Sequence, residues 1–135
     1  KQFNAFAWPA TWMATDRPLS KEVRAAYLHP YRRAKDRIAI ARFVADIPMS
    51  SSHPSYPLLS KIEQRLRLIK NIPTQIIWGE DDFCFTNHFL ARWMEILPHA
   101  ETHLLTDCGH YVTEDGKVEL TIWAKKFFDA NSSPK

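Results

Sequence analysis

Long hydrophobic runs are missing from this chain: no stretch approaches the roughly 18 apolar residues needed to cross a bilayer. That excludes a membrane-spanning helix. Cysteine is scarce as well. Cys84 and Cys108 offer neither a disulfide framework nor a Cys-x-x-Cys pair, and free thiols in a reducing cytoplasm are the expectation. The first residues, Lys1-Gln2-Phe3-Asn4, have no charged-then-apolar signal arrangement and no initiator Met, as a processed, cloned or partial chain would show. No internal repeat and no low-complexity tract occur.

What is present describes a globular chain. Of 135 residues, 45% are apolar and 13% aromatic, enough for one domain with a real core and too many for disorder. The net charge of +3 could suggest an acidic partner. However, the basic residues are scattered, and the one dense patch, Arg32-Arg33-Ala34-Lys35-Asp36-Arg37, is interrupted by an acid. Without a recognition motif such a patch reads as a solvated helix face, so no nucleic-acid partner is expected.

Two different grammars follow one another along the chain. Residues 1–57 are helical and irregular, with Phe3, Phe6, Trp8 and Trp12 crowding the start. Ser20 caps a helix bearing Val23, Ala26 and Tyr27 on one face, stopped by Pro30. Asp36 opens a second helix with Ile40, Phe43, Val44 and Ile47 at helical spacing, ended by Pro48. A Ser- and Pro-rich loop runs to Pro57, and a third helix places Leu59, Ile62, Leu66 and Ile69 inward. From residue 72 the pattern changes. Thr74–Trp78 is a short strand between Pro73 and Gly79. Thr86–Leu97 is an amphipathic helix burying Phe89, Leu90, Trp93, Met94 and Leu97. Glu101–Thr106 is a second strand, and Glu114–Asp129 a final helix with Leu120, Trp123 and Phe127 inward.

Strand, helix, strand, helix predicts a crossover with two parallel strands. Parallel sheets are covered on both faces and have more than two strands. A two-stranded one flanked by so many helices would leave open edges, so the pattern predicts that further strands come from another polypeptide segment.

Two loops follow those strands, where open α/β sheets place their ligands. The first is Trp78-Gly79-Glu80-Asp81-Asp82-Phe83-Cys84-Phe85, the second Asp107 to Asp115 with Gly109-His110-Tyr111 at its centre. Asp after a strand is often a plain turn former, and a lone His is usually not catalytic. Together they suit a single purpose, in which the acid accepts the Nδ1 hydrogen bond of the imidazole and leaves Nε2 to serve as base. Asp82 and His110 are the candidate pair, with Asp81 as the fallback acid.

Other constellations are weaker. His99-x-x-x-His103 has a metal-like spacing, but Pro98 and the strand after it break the helical phase, and a zinc site needs three or four converging ligands. No metal and no cofactor are expected. Cys84 and Cys108 each lie two residues from a candidate site residue, yet a thiol nucleophile would need an activated, low-pKa Cys. Phe6, Trp8, Trp12 and Phe83 are candidates to line a substrate pocket, although the same aromatics suit a packed core.

The order Ile72-Pro73-Thr74-Gln75-Ile76-Ile77-Trp78-Gly79-Glu80-Asp81-Asp82, then Leu97-Pro98-His99-Ala100-Glu101, then Gly109-His110-Tyr111-Val112-Thr113-Glu114-Asp115 resembles the C-terminal end of α/β-hydrolases. Residues Phe3-Asn4-Ala5-Phe6, Arg37-Ile38-Ala39-Ile40 and Phe43 to Pro48 are similar to haloalkane-dehalogenase-like proteins, a group that includes β-lactone decarboxylases of olefin synthesis. The resemblance implies a helical cap segment over 1–57 and a C-terminal α/β-hydrolase core segment over 58–135. It also implies Asp82 as catalytic acid, His110 as general base and a small apolar substrate of carbon–halogen, ester or lactone type. The family's nucleophile stands on a glycine-flanked turn between strand and helix. None of the three glycines here, Gly79, Gly109 and Gly116, lies in such a context. The expectation is therefore a chain silent by itself, acting with an N-terminal half that carries an Asp or Ser nucleophile. The alternative is a non-catalytic fragment or degenerate paralogue serving as an interaction module.

Overall fold

The computed structural model describes residues 6–132, so Phe3, Asn4 and Ala5 of the resemblance lie outside the described residues. The chain divides into two units: one of residues 1–12 and 19–66, the other of residues 13–18 and 67–135.

The first unit is helical. It contains α1 (Ala7–Met13, its last residue belonging to the second unit), α2 (Lys21–Leu28), α3 (Ile38–Ala45) and α4 (Tyr56–Arg65), with 3-10 turns at His29–Tyr31 and Ala34–Arg37. Ser20 caps α2 as its sequence position suggests, its hydroxyl accepting the Val23 N–H at 3.2 Å. Pro30 does not stop the chain turning. It stands in the first turn of the 3-10 segment, where a missing N–H costs nothing. The helix expected from Asp36 begins instead as the 3-10 turn and becomes α-helical at Ile38. Leu59 and Ile62, expected inward, are each 47% exposed, and Phe43 is 74% exposed.

The second unit is built on β1 (Gln75–Gly79) and β2 (Glu101–Leu105), a parallel pair in register from Gln75 opposite Glu101 to Gly79 opposite Leu105. Helix α5 (Asn87–Ile96) makes the crossover, and α6 (Val112–Asp115) and α7 (Lys117–Asn131) follow β2. A mixed helical unit with a two-stranded parallel sheet agrees with a partial α/β fold. Among the described residues β1 pairs with β2 alone. The last helix departs from the uninterrupted one that the sequence predicts from Glu114. It starts earlier, at Val112, and Gly116 divides it with φ −104° and ψ 25°, outside the α-helical range; a Cβ there would stand 2.5 Å from Leu105 Cδ1.

Among the described residues the buried apolar ones are Ala14, Leu90, Leu97, Leu105 and Cys108. Of the expected α5 face, Leu90 and Leu97 are buried, whereas Phe89 and Met94 are 44% and 48% exposed. Two strands give too little surface to cover an amphipathic helix. Among the described residues no helix is long and apolar enough to cross a membrane.

Candidate functional site

Gly79 ends β1, and its lack of a side chain decides what comes next. A Cβ there would stand 2.4 Å from the carbonyl oxygens of both Cys108 and Gly109. The loop after β2 therefore lies directly against the end of β1. Two backbone bonds extend the pairing beyond the strands: Glu80 N–H to the Leu105 carbonyl at 2.9 Å, and Asp81 N–H to the Cys108 carbonyl at 3.0 Å. Asp107 takes a left-handed conformation, φ 52°, which a short polar side chain tolerates, and this turns the chain back toward β1.

The close approach brings Asp82 and His110 together. Asp82 is buried, 7% exposed, and its two oxygens do different things. Oδ1 accepts the N–H groups of Cys84 and Phe85, each at 2.8 Å, an Asx-type turn that fixes the carboxylate. Oδ2 is 2.9 Å from His110 Nδ1. With Nδ1 donating its proton to that oxygen, the neutral ring carries a lone pair on Nε2. The fallback acid Asp81 is exposed, and its N–H is spent on Cys108. A buried carboxylate holding one imidazole nitrogen can orient the ring and stabilise its protonated form, which is what a general base needs from its neighbour.

Aromatic rings surround the imidazole. Phe85 lies 5.4 Å away between centroids, Tyr111 6.0 Å and Phe83 6.3 Å. The indole N–H of Trp78 donates to the Phe85 carbonyl at 2.9 Å, so β1 itself braces the loop that cradles Asp82. Phe83 also lines an open depression of about 340 Å³ with Met13, Thr15, Asp16, Asp81 and Gly109. Phe6, Trp8 and Trp12 belong to the first unit. All three are more than half exposed; Trp8 and Trp12 lie 5.8 Å apart, and the Arg24 guanidinium lies 3.4 Å from the Trp12 ring centroid.

The weaker candidates have other partners. His99 Nε2 is 3.1 Å from the Ile72 carbonyl. His103 lies 2.8 Å from Glu101 and stacks on Trp123 with ring centroids 4.2 Å apart. Burial, and then the carboxylate of Asp115, push the Cys108 thiol up to about 11, the opposite of an activated nucleophile.

Sequence reasoning misses Asp115. It places this residue at the end of a motif and gives it no role, yet its carboxylate gathers three backbone amides: Gly109 at 2.9 Å, Asp16 at 2.8 Å and Arg17 at 3.2 Å. Position in the motif is the only signal, because two of the three partners lie almost a hundred residues away.

No protein-family model matches the chain. Among curated proteins it is 42% identical over 126 residues to a cis-3-alkyl-4-alkyloxetan-2-one decarboxylase of Shewanella oneidensis, covering 93% of the chain and 40% of that protein. A protein of the same name from Xanthomonas campestris pv. campestris is 38% identical over 131 residues, covering 97% of the chain and 44% of its own length. The chain thus spans less than half the length of the curated relatives it matches, and those relatives are named as enzymes.

Proposed function

We propose that this chain carries the acid and the base of an α/β-hydrolase-like enzyme acting on a lactone with alkyl substituents. The nucleophile comes from polypeptide outside these 135 residues. The observation that carries the reading is the hydrogen bond between buried Asp82 and His110 at the end of two parallel strands. The name of the relatives supports the substrate class: an oxetan-2-one is a strained four-membered lactone. It favours a lactone over the carbon–halogen and ester alternatives.

In this reading the nucleophile is an aspartate. Its carboxylate attacks the saturated ring carbon that bears the ring oxygen; that C–O bond breaks, the lactone's own carboxylate is released, and an alkyl ester forms on the aspartate without any base. Nε2 of His110, with Nδ1 committed to Asp82, serves the later step that frees the aspartate: as base toward a water in hydrolysis, or, when protonated, as hydrogen-bond donor to the aspartate that departs as carbon dioxide is lost and the alkene forms. Two fates of the bound substrate differ in their atoms. Hydrolysis consumes a water and releases a hydroxy acid; decarboxylation consumes none and releases carbon dioxide and an alkene.

The experiment offers the complete gene product that carries these residues a cis-3,4-dialkyl oxetan-2-one and follows lactone loss, products and protein mass. The expected result is turnover to carbon dioxide and an alkene. The His110→Gln variant should accumulate a covalent adduct of the lactone's full mass. Turnover by the parent, with neither turnover nor adduct in that variant, would favour a serine that depends on His110 for its activation. A folded protein that leaves lactones, esters and haloalkanes untouched would end the enzyme reading.

A further inference from the structure

The segment 14–17 crosses the loop that carries His110 at very short range. Tyr111 N–H donates to the Ala14 carbonyl at 2.6 Å. A Cβ on Gly109 would stand 3.0 Å from that same carbonyl oxygen and 3.2 Å from the Asp16 nitrogen, so any side chain there would press the two backbones apart by a few tenths of an ångström. Ala14 and Gly109 are both buried. One side chain fastens the crossing. Asp115 Oδ2 accepts from Gly109 N–H and from Asp16 N–H, and Oδ1 accepts from Arg17 N–H. Charge-assisted bonds of this kind are about twice as strong as neutral ones.

We propose that Asp115 is a positioning residue for His110, acting by clasping segment 14–17 onto the histidine loop. The inference rests on the reading of His110 as the base. Asp115 holds the amide immediately before His110, while the crossing holds the amide immediately after it. The imidazole is thereby fixed on both sides of its own residue, and its Nδ1 meets Asp82 without a search. The same clasp places Thr15 and Asp16 in the wall of the depression that Phe83 and Asp81 complete. Asn in place of Asp115 is not an equivalent: its NH2 group would face at least one of the three N–H donors and repel it.

The test uses the complete gene product with two readouts. The proton shared between His110 Nδ1 and Asp82 gives a proton NMR signal far downfield of the amides, identified by its loss in His110→Gln. In Asp115→Asn that signal should broaden or disappear while circular dichroism stays unchanged. The kcat on the lactone should fall on the order of tenfold to a hundredfold, the scale of a small misplacement of a reacting group. Asp115→Glu, which keeps the charge, should restore part of both. An unchanged low-field signal and kcat in folded Asp115→Asn overturn the proposal. If that variant does not fold, Asp115→Glu decides: a longer carboxylate that leaves signal and kcat at the parent's values overturns it, and a weakened signal upholds it. Should the unmodified protein fail to turn over the lactone, the functional reading fails, while the low-field signal still decides the clasp.

Discussion

The carboxylate of Asp82 shows how little freedom a single site residue has. One oxygen is saturated by two amides of its own loop, so only the other can meet His110. Asp82→Asn should keep the shape but put an NH2 group against either the amides or the histidine, and turnover should fall more than roughly a hundredfold, measured as kcat/KM at constant protein fold. Gly79 is restricted for a different reason. Gly79→Ala would place a methyl 2.4 Å from two backbone oxygens, which cannot yield as a flexible side chain would. We expect a loss of about 1–3 kcal/mol in urea unfolding, together with lactone turnover reduced as the loops move apart. The two cysteines should separate cleanly. At pH 8 iodoacetamide should label exposed Cys84 and spare Cys108, which is 1% exposed and has its thiol held up near 11; peptide mass mapping reads this. The raised value also fixes a pH dependence. Well below pH 9 the Cys108 thiol is protonated in both folded and unfolded chains and contributes no slope. Between pH 9 and about 11 the unfolded chain loses that proton first, so stability falls as pH rises, and above 11 the loss is complete. Urea midpoints across that range should decline less in Cys108→Ala than in the parent.

At the scale of elements, much is legible in the chain and the reasons differ. Helix α2 is announced by Ser20, whose cap is local chemistry, and Ser20→Ala should lower the thermal midpoint through a loss of about 1 kcal/mol. Strands β1 and β2 are short runs bounded by turn signals, between Pro73 and Gly79 and between Ala100 and the turn at Asp107, and their positions in the sequence match the structure to within a residue. Pro30 and Gly116 are harder to read. A proline ends an α-helix but opens a 3-10 turn equally well, and Gly116 interrupts a last helix that the apolar pattern alone reads as continuous. Neither outcome is written in neighbouring residues.

Over the described residues of both units, several apolar residues expected inward are not buried. Phe43, Leu59 and Ile62 in the first unit are more than 40% exposed, as are Leu58 and, on α7, Val118, Ile122 and Phe128, for which no burial was expected. Exposed apolar area of this kind binds hydrophobic dyes and drives association. The 135-residue chain expressed by itself should enhance anilinonaphthalene sulfonate fluorescence and scatter light increasingly with concentration. A dye-silent monomer would show that these faces are covered within the chain.

The sequence by itself determined the change of grammar near residue 72, the crossover between two parallel strands, and Asp82 and His110 as the pair to watch, because strand ends and their turns are local signals. The tertiary structure removed the fallback Asp81 by placing Asp82 against the imidazole. That depends on which side chain the turn after Gly79 buries. It also decided that Asp115 holds three amides from two separate segments and that Cys108 is an inert, protonated thiol. Hydrogen bonds between residues almost a hundred positions apart, and the burial that raises a thiol's pKa, arise only once the chain has folded back on itself.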